Sequence, residues 1–192
     1  MQKKEFTKAF TQQESISEKG IEAALKILKS GKLHRYNVDK GEKGEATLLE
    51  EEFAAYIGKK YCLSCASCGS AMYIALKSIG VKPGDKVLCN AYTLAPVPGA
   101  IENSGASIEL IEITDDYLVD LEDLEIKAAA ADAKWFMLSH MRGHIVDMDR
   151  VMEICNRHGL QLIEDCAHTM GCSWDGKKSG YFGFNACRST QT

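Results

Sequence analysis

Proline is scarce in this sequence, with three residues in 192, and no low-complexity stretch or short repeat runs through it. Those absences exclude a collagen-like chain, a coiled coil and a disordered tail. Basic charge is not in excess either. Twenty-three Lys and Arg face 27 Asp and Glu, for a net charge of −4, so nothing electrostatic recommends nucleic acid or an anionic membrane as a partner. No apolar run approaches the ~18 residues a membrane-spanning helix needs. The opening MQKKEFTKAFTQQES has no apolar stretch of the kind a secretory signal requires, so a cytoplasmic location is expected. What the chain does have is 45% hydrophobic residues and 26% charged ones, the mix of a globular protein with one good-sized core.

Eight cysteines are present, and a reducing compartment makes free thiols their default state. Cys62, Cys65 and Cys68 form C-x2-C-x2-C, part of an iron–sulfur pattern, but no fourth Cys follows where one is due, at Ala71 and Met72. Zinc would want a second closely spaced pair, and Cys89, Cys155, Cys166, Cys172 and Cys187 are scattered. No metal site is expected from them.

Periodicity divides the chain into alternating segments. Residues 14–30 and 46–57 carry apolar side chains at helical spacing, with a polar, glycine-containing loop between them. Short, mostly continuous apolar runs follow at 61–66, 86–90, 107–113, 134–139 and 160–164, as strands covered on both faces should read. Helical segments are expected at 69–80, 93–104, 120–131 and 147–158. This alternation predicts an α/β fold with a mostly parallel sheet flanked by helices. Ligands in such sheets sit beyond the carboxyl ends of the strands, which directs attention to 66–70, 90–94, 139–144 and 164–168.

Each of those places carries distinctive residues. Ser67-Cys68-Gly69-Ser70-Ala71 is a small-residue turn entering a helix, suited to a phosphate or, more plainly, to a serine N-cap. It is neither G-x-G-x-x-G nor a Walker loop. In IEDCAH, Glu164 and Asp165 end an apolar strand, where a carboxylate needs a partner. Such an acid could hold a protonated pyridine nitrogen, sit on a surface loop, or join His168 at a metal. In SHMRGHIVDMD, His140 and His144 are four apart, but Gly143 between them disfavours a helical two-histidine metal site. Asp147 and Asp149 read as helix-start residues. NAYTLAPVPGA offers Tyr92 and Thr93 beside two prolines, a surface for a planar cofactor or simply a helix entry.

Taken together, LEEEFAAYIGKKYCLSCASCGSAMYIALKSIGVKPGDKVL, NAYTLAP, DMDRVMEICNRHGLQLIEDCAHTMG and GKKSGYFGFNACRSTQT resemble the DegT/StrS sugar aminotransferases, pyridoxal-phosphate (PLP) enzymes of fold type I. The resemblance runs from about residue 16 to the end. It implies an N-terminal helix-and-loop arm over 1–45 and an incomplete PLP-binding large domain over 46–192. It assigns the cofactor phosphate to Cys68, Gly69 and Ser70, the pyridine nitrogen to Asp165, and a place near the ring's phenolic oxygen to His168. Ser189 falls where the family has a phosphate-touching serine. Leu94 stands where an aromatic usually stacks on the ring, so stacking is weaker or falls to Tyr92. The Schiff-base lysine of the family is due just beyond Thr192, and neither Lys177 nor Lys178 matches its motif, so no catalytic residue is assigned. The resemblance therefore implies an N-terminal part of an aminotransferase, inactive alone. Its full-length parent would be a homodimer moving an amino group from glutamate or glutamine to a nucleotide-linked keto-sugar. A PLP-dependent sugar dehydratase fragment and a non-catalytic dimerising protein are the alternatives.

Overall fold

The computed structural model describes Thr7 and residues 15–190. It divides into two compact units, the first ending at Leu49 and the second running from Glu50 to Thr190. In the first, α1 (Glu18–Ser30) is opened by Ser17, whose hydroxyl accepts from the Gly20 N–H, and closed by Gly31 in the left-handed region. None of its residues is buried, and Ile21, Leu25 and Leu28 expose their apolar side chains. The unit boundary falls inside α2 (Glu45–Ile57), which buries Glu50, Ala54 and Ile57.

The second unit holds the sheet. Strands β1 (Lys86–Asn90), β2 (Ser107–Ile111), β3 (Trp135–Ser139), β4 (Gln161–Asp165) and β7 (Asn185–Cys187) pair in the order β2-β1-β3-β4-β7, every pairing parallel. A short antiparallel hairpin of β5 (Ser173–Trp174) and β6 (Lys177–Lys178) precedes β7. Helices α3 (Cys68–Ser78), α4 (Pro96–Asn103), α5 (Leu121–Ala130) and α6 (Met148–His158) flank the sheet.

Alternation along the strands sorts the core into two layers. Val87, Cys89, Trp135, Met137 and Ile163 face Met72 and Leu76 of α3 and Val97 and Ile101 of α4. Leu88, Phe136, Leu138 and Leu162 face Leu124 of α5 and Val151 and Ile154 of α6. Each such Leu, Ile or Phe contributes roughly 1.5–3 kcal/mol on burial. From β1 the chain passes through α4 to β2 on one side, then returns through α5 to β3 on the other. The connections thus diverge at β1 and β3, the place where open α/β sheets form a ligand crevice.

Local chemistry sets the helix ends. Asp120 accepts from the Glu122 and Asp123 N–H groups, Asp147 from that of Arg150, and Gly159 closes α6 in the left-handed region. Helix α4 starts only at Pro96, the residue type that suits a first helical position. Two expectations are corrected. Residues 61–66 form no strand: the Ser64 N–H donates to Glu50 instead of a ladder, and Tyr61 and Leu63 are exposed. Strand β2 stops at Ile111 because the Glu112 N–H leaves the ladder for the Asp123 carboxylate at 2.7 Å.

Gly183 sits where a Cβ would lie 2.8 Å from the Leu162 carbonyl oxygen and 2.9 Å from that of Asn185. Backbone cannot yield as a flexible side chain can, so Gly183→Ala is expected to cost about 1–3 kcal/mol as overpacking does. Gly99, inside α4, has open space around its Cα, and Gly99→Ala is expected to stabilise by about 0.5–1 kcal/mol. Urea unfolding of both variants measures the contrast.

Candidate active site

Three apolar strands each end on a polar residue: Asn90, Ser139 and Asp165, all buried. The Asn90 side chain ties two strand ends together. Its Oδ1 accepts from the Ser139 N–H at 2.8 Å, and its Nδ2 donates to the Ser139 carbonyl at 3.2 Å and the Tyr92 carbonyl at 2.8 Å. Ser139 Oγ in turn donates to Asp165 Oδ2 at 2.8 Å. The other oxygen, Oδ1, accepts from the Ala167 N–H at 3.2 Å and faces Cys68 Sγ at 3.9 Å. Asp165 is therefore held at both oxygens in one orientation.

Cys68 is the first residue of α3. Ser67 caps that helix in extended backbone, its hydroxyl accepting from the Ser70 N–H at 3.1 Å and lying 3.0 Å from Ser70 Oγ. First-turn N–H groups of a helix have no intrahelical acceptor, which leaves those of Cys68 and Gly69 for an outside anion. A Cβ on Gly69 would stand 3.7 Å from Pro96 Cβ, so the starts of α3 and α4 are neighbours. An open cleft of about 720 Å³ runs between the two helices, past Ser70, Tyr73 and Asn103. Burial, followed by the Asp165 charge, pushes the Cys68 thiol up to about 11, so it stays protonated at neutral pH.

The geometry brings Cys68, Gly69 and Ser70 to within one side chain of Asp165. His168 lies on the following loop, where its Nδ1 accepts from the Arg142 N–H at 3.3 Å. Leu94 precedes α4 and is half exposed, whereas Tyr92 is partly buried and packs its ring on Tyr117 at 5.2 Å. Ser189 is partly buried just beyond β7. Lys178 donates to the Tyr56 carbonyl and Lys177 lies over the Tyr181 and Phe182 rings, so neither is among the partners of Asp165. Sequence reasoning missed Asn90 and Ser139 as the supports of Asp165. The available signal was one polar residue closing each of three apolar runs.

On the other sheet face, Glu164 is fully buried and fully engaged. Its Oε2 lies 3.2 Å from His140 Nε2 and accepts from the Gly180 N–H, while Oε1 accepts from the Gly183 N–H at 2.6 Å. Among the described residues, His140, Glu164 and Cys166 are the one group of possible metal ligands close enough to share an ion; Cys62, Cys65 and Cys68 form none. Both Glu164 oxygens are taken by N–H donors and burial pushes the Cys166 thiol up to about 12, so His140 and Glu164 are joined by a hydrogen bond with a protonated thiol beside them. Two non-glycine residues near the strand ends, Tyr117 (φ 62) and Arg142 (φ 55), hold left-handed backbone, a strain of about 1–3 kcal/mol each that concentrates at functional sites.

The model of the DegT/DnrJ/EryC1/StrS aminotransferase family matches residues 14–191. The chain belongs to this family. It is 34% identical over 142 residues to a pleiotropic regulatory protein of Geobacillus stearothermophilus, covering 73% of this chain and 38% of that protein. It is 33% identical over 136 residues to GDP-perosamine synthase of Caulobacter vibrioides, covering 70% and 36% respectively. Among solved structures, 3-amino-5-hydroxybenzoic acid synthase superposes with a TM-score of 0.84 at 29% identity, over 95% of this chain and 46% of that one. The chain thus spans less than half the length of these aminotransferase-family relatives.

Burial pushes the Glu164 carboxyl up, but the His140 and Gly183 hydrogen bonds outweigh it and hold the group below the usual 4.5. A carboxyl lowered in the folded state contributes stability that is complete above its unfolded pKa and is lost as pH falls through the folded value. Glu164→Gln is expected to cost about 1.5–3 kcal/mol at neutral pH, the worth of hydrogen bonds to a charged group, and to flatten the acid limb of the stability profile. Chemical unfolding between pH 7 and 3 measures both.

Proposed function

We propose that this chain supplies the cofactor-binding part of a PLP-dependent aminotransferase acting on nucleotide-linked keto-sugars, with glutamate or glutamine as amino donor. The observation that carries the reading is the convergence of a doubly anchored carboxylate, Asp165, with the N-terminus of α3. The residues present fit PLP. A fixed acid suits a pyridinium nitrogen, and two small residues with unengaged amides suit a phosphate. The Thr93 hydroxyl, on the loop after β1, is buried with no hydrogen-bond partner among the described residues, as a cofactor-contacting group would be before its ligand arrives.

In this reading Asp165 holds the proton on the ring nitrogen, and Ser139 and the Ala167 N–H keep its two oxygens in place. The amides of Cys68 and Gly69 bind the phosphate with the help of the α3 dipole. Ser70, Ser189, His168 and Leu94 complete the contacts. Bound PLP supplies an electron sink for charge developing on a substrate carbon. Moving the amino group also requires a lysine amine, and Lys177 and Lys178, which do not match the family's lysine motif, are held at the Tyr181 and Phe182 rings and the Tyr56 carbonyl. The 192-residue polypeptide by itself is accordingly proposed to have no transaminase turnover. The exposed Ile21, Leu25 and Leu28 of α1 support a homodimer, in which such a face would find cover.

Equilibrium dialysis against PLP is expected to show binding by the isolated chain. Asp165→Ala should weaken it about 10- to 100-fold, equivalent to the ~1.5–3 kcal/mol of a charge-assisted hydrogen bond. No amino-sugar should form when keto-sugar nucleotide and glutamate are added. Binding indifferent to Asp165, or amino-sugar formation by this chain, would overturn the reading.

A further inference from the structure

The C-x2-C-x2-C run of Cys62, Cys65 and Cys68 leads straight into the turn that starts α3. All eight cysteines are free, and they differ in reach. Cys89, Cys155, Cys166 and Cys187 are buried, and Cys172 lies apart, its backbone bonded to Thr169 and Ser179. Cys62, Cys65 and Cys68 are only partly buried. Ser64, between the first two, is fixed by Glu50, which accepts from its N–H at 2.6 Å and from its hydroxyl at 2.9 Å. The chain is looser between Cys65 and Cys68. It bends at Ala66, and neither Cys65 nor Ala66 makes a backbone–backbone hydrogen bond among the described residues. Both thiols have only long contacts, Cys65 Sγ to the Leu63 carbonyl at 3.8 Å and Cys68 Sγ to Asp165 Oδ1 at 3.9 Å. Pushed up to about 11 chiefly by burial and Asp165, the Cys68 thiol also feels the charge of Cys65, which makes the two sulfurs neighbours.

We propose that Cys65 and Cys68 form a reversible disulfide, with a small-molecule disulfide such as glutathione disulfide as oxidant, and that its closure dismantles the start of α3. Three residues of chain span at most ~11 Å when extended, and the bend at Ala66 shortens that toward the ~4.4–6.8 Å a disulfide allows. The Cys65 thiolate attacks one sulfur of glutathione disulfide, breaking its S–S bond and expelling one glutathione thiolate. The Cys68 thiolate then attacks Cys65 Sγ and expels the second. Two protons and two electrons leave the cysteines and depart as two glutathione thiols. Because Cys68 is held protonated at neutral pH, its attack is the slow step and quickens as pH rises. Closure turns Cys68 Sγ away from Asp165 and draws the first residue of α3 toward Cys65, across the Ser67 cap. The amides of Cys68 and Gly69 then no longer share the helical direction that suits an anion. The consequence for PLP rests on the cofactor reading given above: the site is open when reduced and closed when oxidised.

The test treats the 192-residue chain with millimolar glutathione disulfide, alkylates the remaining thiols and maps the tryptic peptide 61–77, which holds all three cysteines. Oxidised protein is expected to carry one alkyl group there, on Cys62, and dithiothreitol should restore three. Amide NMR of the same samples should show Gly69 and Ser70 shifting on oxidation and returning on reduction. Equilibrium dialysis should show PLP held at least tenfold more weakly by the oxidised chain. Cys65→Ser is expected to abolish the disulfide and the oxidant's effect while leaving reduced binding unchanged, and Cys62→Ser to keep both. The proposal is overturned if Cys65 and Cys68 stay alkylatable, if the bond joins Cys62 to Cys65, if glutathione remains on Cys65, or if the α3 amides do not move when the bond closes. PLP binding by the reduced chain with no Cys65–Cys68 bond removes this inference alone. A Cys65–Cys68 bond that shifts the α3 amides in a chain that never binds PLP removes the cofactor reading and leaves the thiol switch standing.

Discussion

The fold around the site depends on a carboxylate with no access to water. Glu164 is the next-to-last residue of β4, and its burial would be costly by several kcal/mol if its oxygens lacked partners. It is satisfied from two directions, by the His140 ring and by the amides of Gly180 and Gly183. Those glycines have no room for a side chain: a Cβ on Gly180 would meet Ala186 and Arg188 at 2.9 Å, and one on Gly183 would meet backbone oxygens. The acid therefore draws the 179–184 segment tight against β4. The Phe184 N–H then bonds the Leu162 carbonyl, and β7 starts in register beside β4. A buried charge, two close-packed glycines and the position of the last strand form one constraint.

Period-two alternation gives the neighbouring acid an opposite role. Asp165 points to the α3 side with Ile163 and Ser139, whereas Glu164 points to the other side with Leu162 and His140. The register Ser139↔Asp165 places the first pair directly across from each other on two adjacent parallel strands, whereas Glu164 stands opposite Leu138 and is reached by His140 two residues further on. One sheet face thus carries a serine–aspartate pair open to a helix N-terminus, and the other a histidine–glutamate pair closed off from solvent. The two pairs are neighbours in sequence, Ser139 beside His140 and Glu164 beside Asp165, and the His140 N–H bonds the Asp165 carbonyl, so rigidity in the buried pair is transmitted to the other through shared backbone.

Much of this was legible in the sequence. Four of five expected strands and all six helices stand close to where apolar spacing put them; the strands and α2 to α6 each bury apolar residues, while α1 carries the same spacing with none buried. The small-residue turn at 67–71 and Asp165 were legible for the same reason, since polar and small residues at strand ends interrupt otherwise apolar runs. The failed strand at 61–66 shows the limit. Its apolar letters resemble a covered strand, but Glu50, far off in sequence, captures the Ser64 amide and hydroxyl, and no local pattern announces that competitor. The same holds for Asn90 and Ser139. Their role is a cross-strand bond, and cross-strand bonds depend on sheet order, which single-strand periodicity does not encode.

Sheet order also explains why the polar strand ends converge rather than scatter. Because the connection after β1 runs to one side and that after β3 to the other, the loops that follow these two strands diverge over a crevice at their carboxyl ends. The Asn90 side chain spans the gap between β1 and β3, where a bridging backbone hydrogen bond is missing at the diverging ends. It closes the sheet while leaving Asp165 turned toward α3. Had Asn90 been apolar, the Ser139 N–H would be a buried donor without a partner, and relief would come by rotating the strand end that aims Ser139 at Asp165. The orientation of the acid on β4 is thus supported from β1, two strands away, by an amide side chain that hydrogen-bonds neither the acid nor the α3 turn.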